Sequence, residues 1–170
     1  FLSFENIWYT FFERLIIFKF RKRRKTVKHI ERVDYLNRLI RLRGTPDIKI
    51  ITGLRRSGKS ELVRDYVDWL EKNDNNVHVL YIDFMDLKNE DLKDYKSLYK
   101  YVENQYQKDA ENIVVIDEVQ LCTQFELAIN SLYNSRKYDI YITGSNAFLL
   151  SSDLSTLFTG RFIEIQVYPF

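Results

Sequence analysis

The sequence predicts an α/β fold with a parallel sheet, and three observations carry that prediction. Short apolar, β-branched runs recur at 47–52, 77–84, 113–116, 138–143 and 162–167. Segments with apolar residues every three or four positions alternate with them, the pattern of crossover helices between parallel strands. A glycine turn, Gly53-Leu54-Arg55-Arg56-Ser57-Gly58-Lys59-Ser60, joins the first run directly to the first crossover segment.

The elements justify themselves in chain order. At 170 residues, 45% of them apolar, the chain has material for one core and an appendage. Residues 1–30 read as that appendage, and 31–170 as the domain. Residues 1–30 hold eight Lys/Arg and two Asp/Glu, and the remainder holds 18 and 22. The domain is therefore mildly acidic and gives no global sign of nucleic-acid binding. The apolar stretches of 1–20 are broken by Glu5, Glu13 and Arg14, so none reaches the ~18 residues of a spanning helix. The basic run 21–25 follows the apolar part, the reverse of a signal peptide. A solvated extension is the plain reading of 1–30; an acidic membrane surface, nucleic acid or a localisation tag are the others. Cys122, the one cysteine, rules out a disulfide framework and suits a cytoplasmic setting. His29 and His78 stand apart, so no zinc site is expected.

Residues 31–43 carry Tyr35, Leu36, Leu39 and Ile40 on one helical face, and Gly44-Thr45-Pro46 ends the helix. A segment just before the first strand can wall a pocket for the base of a ligand held at the strand's end. Tyr35 and Leu36 are candidates for that role, with packing on the sheet as the alternative. Residues 47–52 form a buried strand, and 59–72 a helix with Leu62, Val63, Tyr66, Val67 and Leu70 inward. Strand 77–84 brings Asp83 to its carboxyl end, where ligands gather in open α/β sheets. Leu92, Tyr95, Leu98, Tyr99, Val102 and Tyr106 mark a helix whose tyrosines form a half-buried face. Helix 125–133, strand 138–143, a short helix at 152–158 and strand 162–167 complete the series.

The glycine turn matches G-x-x-x-x-G-K-[ST] without a mismatch, between a strand and a helix as that motif requires. The chemistry follows from geometry. Backbone N–H groups of 54–59 wrap an anion only where side chains leave room, hence Gly53 and Gly58. The helix starting at Lys59 aims its free amides and positive dipole end at the same point. Gly53, Leu54, Arg55, Arg56, Ser57, Gly58, Lys59, Ser60 and the following Glu61 are thus the candidate phosphate-binding residues. Lys59 would reach the β- and γ-phosphates, and the Ser60 hydroxyl would sit on Mg²⁺.

Ile113-Val114-Val115-Ile116-Asp117-Glu118 is a buried strand that delivers carboxylates to the sheet edge. Asp117 is the candidate Mg²⁺ ligand, and Glu118 the candidate base that polarises a water for attack on the γ-phosphate. Gln120 is placed to hold that water or to read the γ-phosphate. Ser145 and Asn146, with Thr143 behind them, end the neighbouring strand and are candidates for the same water or phosphate. Capping of the next helix is their alternative. Arg161 is a candidate arginine finger, in its own chain or a neighbour's, and equally a structural contact.

Ile-Thr-Gly-Leu-Arg-Arg-Ser-Gly-Lys-Ser, Ile-Asp-Glu-Val-Gln, Ile-Thr-Gly-Ser-Asn and Leu-Phe-Thr-Gly-Arg-Phe with Tyr-Pro-Phe follow one another over about 32–170. In that order they resemble the AAA domain of a large prokaryotic family of predicted ATP-binding proteins in the AAA+ superfamily. The resemblance implies a three-layer αβα P-loop NTPase fold, with a parallel sheet of about five strands ordered 5-1-4-3-2. It implies ATP and Mg²⁺ as cofactors. It also implies a protein partner or self-association through the domain. Members usually continue into a nuclease-like C-terminal region, which is absent here.

The leading expectation is ATP hydrolysis that switches a partner or a further domain. A GTPase would need an Asn-Lys-x-Asp stretch, a small-molecule kinase an Arg-rich lid, and a helicase a second motor domain; none is found in the sequence. The expectation from a different class is a nucleotide-binding switch with little hydrolysis.

Overall fold

In the computed structural model, residues 32–145, 156–158 and 160–169 are described. The basic segment 1–30, Asn146 and most of the short helix at 152–158 lie outside them.

The sheet is built from β1 (Ile48–Gly53), β2 (Val77–Asp83), β3 (Glu111–Asp117), β4 (Tyr138–Thr143) and β5 (Phe162–Val167). All pairings are parallel and the order is β2-β3-β4-β1-β5, which is 5-1-4-3-2 read from the other side. Every residue of β1 is buried, and all but the first of β3 and β4. Strands covered on both faces need continuous apolar runs rather than alternation. On one face Ile48, Ile50, Val114, Ile116, Ile140 and Ile142 meet α3 (Tyr95–Asn104) and α4 (Phe125–Ser135). On the other, Ile51, Ile113, Val115, Tyr141, Ile165 and Val167 meet α1 (Val33–Leu42) and α2 (Lys59–Asn73). The result is the three-layer sandwich expected. Among the described residues no helix is long and apolar enough to cross a membrane.

The boundaries shift where caps decide them. The helix expected from Leu92 begins at Tyr95, because Asp94 accepts from the Lys96 and Ser97 amides. Residues Leu87–Leu92 form 3-10 turns instead, started by an Asp86 carboxylate that accepts from the Lys88 amide. Tyr95, Tyr99 and Tyr101 pack against the core, and Tyr106 meets Tyr138 edge-on at 5.8 Å. Cys122 is buried, and burial pushes its thiol up to about 12.

Under α1 lies a group of charges. Lys49, fully buried, pairs with Asp139 and also donates to the Thr45 carbonyl. Asp139 accepts from the Gly44 amide as well. Arg43 binds Glu111 and Asp74 together. These contacts fasten the α1–β1 connection to the starts of β3 and β4.

Breaking a buried pair leaves an uncompensated charge. Asp139→Ala is expected to destabilise the domain by about 3–5 kcal/mol. The check is denaturant unfolding, and the Lys49→Met/Asp139→Leu double variant should recover most of the loss.

Candidate functional site

All the strands run the same way, so their carboxyl ends share one edge. There β1 ends in Gly53, β3 in Asp117, β4 in Thr143 and β2 in Asp83.

The loop after β1 owes its shape to three residues with positive φ: Gly53 at 151°, Arg56 at 65° and Gly58 at 89°. Gly53 has no room for a side chain. A Cβ there would lie 2.3 Å from the Val167 carbonyl oxygen and 2.8 Å from Ser57 Oγ. The Ser57 amide donates to the Leu54 carbonyl at 3.1 Å and closes the turn. Leu54, Arg55 and Arg56 are exposed, whereas Ser57 and Lys59 are buried. Ser57 Oγ is buried with no hydrogen-bond partner among the described residues. Lys59 Nζ donates to the Gly53 and Leu54 carbonyls, each at 3.0 Å. Burial pulls the Lys59 ammonium below the usual lysine range, against the opposing pull of Glu118 and Asp117. Those two carboxylates therefore lie close enough to the loop to act on its lysine.

Asp117 is 1% exposed. Its Oδ1 accepts from the Thr143 hydroxyl and its Oδ2 from Tyr81 at 3.4 Å. Burial raises its pKa above the usual carboxylate range, while hydrogen bonds from Thr143 and Ser60 pull it down. Ser60, at the start of α2, thus lies near Asp117, at the end of β3. Glu118 follows with left-handed backbone, φ 55°. A non-glycine residue is rarely held there. Its amide donates to Thr143 Oγ1 at 2.9 Å, and its carboxylate accepts from Gln120 Nε2. Thr143 therefore fixes the Asp117 carboxylate by its proton and the Glu118 backbone amide by its lone pair.

The expected residues divide as follows. The loop 53–60, Asp117, Glu118, Gln120 and Thr143 come together, and Ser145 lies just beyond β4 at the same edge. Asn146 lies outside the described residues. Glu61 is drawn to Arg64 at 2.7 Å. Asp83 is occupied by Arg64 at 3.0 Å. Arg161 is at the opposite edge: its carbonyl accepts from the Ile48 amide, where β1 begins. The length of β1, about 16 Å, separates it from the loop. Its guanidinium lies over Tyr133 at 5.7 Å and donates to Asn134 at 3.3 Å. A finger role within its own chain is thereby corrected. An arginine immediately ahead of a strand that runs toward the loop is carried away from it by the strand's own length.

Tyr35 and Leu36 pack on the α1–α2 side of the core. The Tyr35 hydroxyl accepts from the Tyr168 amide at 3.4 Å. Arg32, which the sequence did not single out, reaches the loop's rim. Its Nε lies 3.8 Å from where a Gly58 Cβ would be, and its Nη1 donates to the Tyr168 carbonyl at 2.7 Å. The Tyr81 and Arg64 contacts were also unforeseen, because they depend on facing side chains rather than on spacing.

Comparison with known proteins agrees with this arrangement. The AAA domain family matches residues 45–170. The chain belongs to that family. An uncharacterised protein of Haemophilus influenzae is 39% identical over 142 residues, covering 82% of this chain and 36% of that protein. One of Methanocaldococcus jannaschii is 30% identical over 142 residues, covering 82% and 30%. The chain spans about a third of the length of these relatives. A DNA polymerase III gamma subunit-related protein of Thermotoga maritima shares the fold, with a TM-score of 0.54 at 16% identity over 81% of this chain and 46% of that one. Membership of the AAA family points to nucleotide binding.

Two outcomes test the geometry of this AAA domain. Gly53→Ala forces a Cβ into the Val167 carbonyl, so both the melting temperature and nucleotide affinity should fall. Asp117 has a raised pKa in the folded chain, so the folded state binds its proton more tightly than the unfolded state. Its contribution to stability is present at low pH and is lost as pH rises through the folded value. Asp117→Asn should therefore flatten the decline of metal-free stability on the alkaline side of about pH 4, measured by denaturant unfolding in chelator.

Proposed function

We propose that this domain binds ATP with Mg²⁺ and hydrolyses it. The observation that carries the reading is one hydrogen-bonded chain, Asp117–Thr143–Glu118, with Ser60 near Asp117, at the mouth of a glycine-built loop whose lysine feels both acids. Mg²⁺ takes few protein oxygens and fills its shell with phosphate and water. Ser60 and Asp117 fit that donor set, and among the described residues no three His, Cys, Asp or Glu side chains form a separate metal cage. Bound there, the ion would neutralise charge building on the phosphate oxygens.

The chain's own groups do the rest. The amides of 54–59 and the first turn of α2 bind the β-phosphate, and the orphaned Ser57 hydroxyl supplies one further donor. Lys59 exchanges two loop carbonyls for β- and γ-phosphate oxygens. Glu118 takes the proton of the attacking water, and Ser145 and Asn146 remain the candidates for orienting the water or the γ-phosphate. Domain 31–170 would pass its nucleotide state to a protein partner, another copy or a further region such as the longer relatives have, in a cytoplasmic setting.

A switch that binds ATP and turns it over slowly is the second reading. The observation in its favour is Arg161, whose guanidinium is committed to Asn134 and Tyr133 at the far edge. A transition-state guanidinium from that position requires a neighbouring copy.

Lys59→Ala should abolish nucleotide binding without unfolding the domain; retained affinity in a titration would overturn the phosphate assignment. Glu118→Gln should keep ATP bound while phosphate release falls by ~10²-fold or more. Equal release from parent and variant would favour the switch.

A further inference from the structure

We propose that Gln120 is a further catalytic residue: its amide oxygen accepts one hydrogen of the attacking water while its amide nitrogen holds Glu118, which takes the other. The proposal rests on the hydrolytic reading above.

Gln120 sits in the middle of a one-turn 3-10 helix, Val119–Leu121, directly after β3. The turn is held at both ends. The Leu121 amide donates to the Glu118 carbonyl and the Cys122 amide to the Val119 carbonyl, each at 3.0 Å. Val119 is fully buried in the core beneath. The left-handed backbone at Glu118 reverses the chain, which brings the Gln120 side chain back against the Glu118 carboxylate. That contact also settles the orientation of the amide. A carboxylate only accepts, so the atom facing it is the nitrogen and the geminal atom is the oxygen.

The oxygen, Oε1, is buried with no hydrogen-bond partner among the described residues. A buried carbonyl oxygen without a donor is costly to keep, because it has given up its water and gained no partner. Turns are readily furnished with polar side chains that face solvent, so an acceptor kept inside and next to a candidate base is a feature to explain. The donor it awaits must be small and must also suit the adjacent carboxylate. Water meets both requirements, because it offers one hydrogen to Gln120 Oε1 and one to Glu118. Its oxygen lone pair is then left pointing at neither acceptor and is free to attack. In the step, the water oxygen bonds to the γ-phosphorus and its proton passes to Glu118. The bond from the γ-phosphorus to the bridging oxygen breaks, and its electron pair leaves on ADP. Gln120 exchanges no proton. It fixes the direction of the lone pair.

The test measures ATP affinity by titration and steady-state phosphate release on the full chain, for the parent, Gln120→Met, Gln120→Asn, Glu118→Gln and the Glu118→Gln/Gln120→Met pair. Gln120→Met keeps the volume and removes the acceptor; Gln120→Asn keeps an amide and shortens its reach, and serves as the second variant should Met disturb the turn. Expected is a fall in kcat of ~10-fold or more with ATP affinity within twofold of the parent. In the Glu118→Gln background Gln120→Met should add less than about twofold, since residues acting on one water are not additive. A Gln120 variant that keeps parental kcat overturns the proposal and leaves the hydrolytic reading standing. A faster variant also overturns it, because Gln120 would then be restraining Glu118. A parent that binds ATP and releases no more phosphate than Glu118→Gln overturns the hydrolytic reading and this proposal with it.

Discussion

The parallel register of the central strands is the constraint on which the site depends. Ile51 pairs with Thr143, Ile116 with Ile142 and Asp83 with Asp117. These registers bring β2, β3 and β4 to an end at one level, so that a hydroxyl from β4 falls between Asp117, the last residue of β3, and the backbone amide of Glu118 just after it. A slip of one residue would turn each side chain to the opposite face. The slip is prevented by burial on both faces, because β1, β3 and β4 present apolar side chains above and below. Packing in the core thus sets the position of polar atoms at the edge.

The opposite edge is stabilised by different means. Lys49–Asp139 and the Arg43–Asp74–Glu111 group are polar contacts placed where the strands begin. They tie the α1–β1 connection to β3 and β4, whereas the ion pair described at the carboxyl edge, Arg64–Asp83, lies at the end of β2. A fully buried lysine inside an otherwise apolar strand is expensive unless it is paired and hydrogen-bonded, and Lys49 is both. The division is physical as well as spatial. Closed ion pairs hold the starts of β1, β3 and β4, and the ends of β1 and β3 present the loop amides and the Asp117 carboxylate.

Much of this was legible in the sequence, for identifiable reasons. Strands buried on both faces leave unbroken apolar runs, so β1, β3 and β4 were readable within a residue or two. Helix α2 was readable from five inward positions at helical spacing. The loop was readable because its glycines answer a steric demand, now visible as the Val167 carbonyl against Gly53. What escaped depends on facing rather than spacing. Thr143 was placed only behind Ser145 and Asn146, yet it is the atom that joins Asp117 to Glu118. Nothing in Ile142-Thr143-Gly144 says which neighbour the hydroxyl will meet. Arg161 misled for the converse reason, since a Gly-Arg pair before a strand suggests chemistry without saying at which edge the strand begins. Arg32 lies in a polar stretch with no periodicity, and only the folded chain shows it at the rim of the loop.

Lys59 gives the loop a counter-ion of its own. With its ammonium seated on the Gly53 and Leu54 carbonyls, the curvature of the loop is already propped from within. An arriving polyanion would then take over a cation that is already positioned, and would not have to recruit one from solvent. The backbone would need little rearrangement, and the entropy of ordering the turn has been met during folding. Capture at such a site is a swap of partners, so its speed should be limited by diffusion and by the shedding of water.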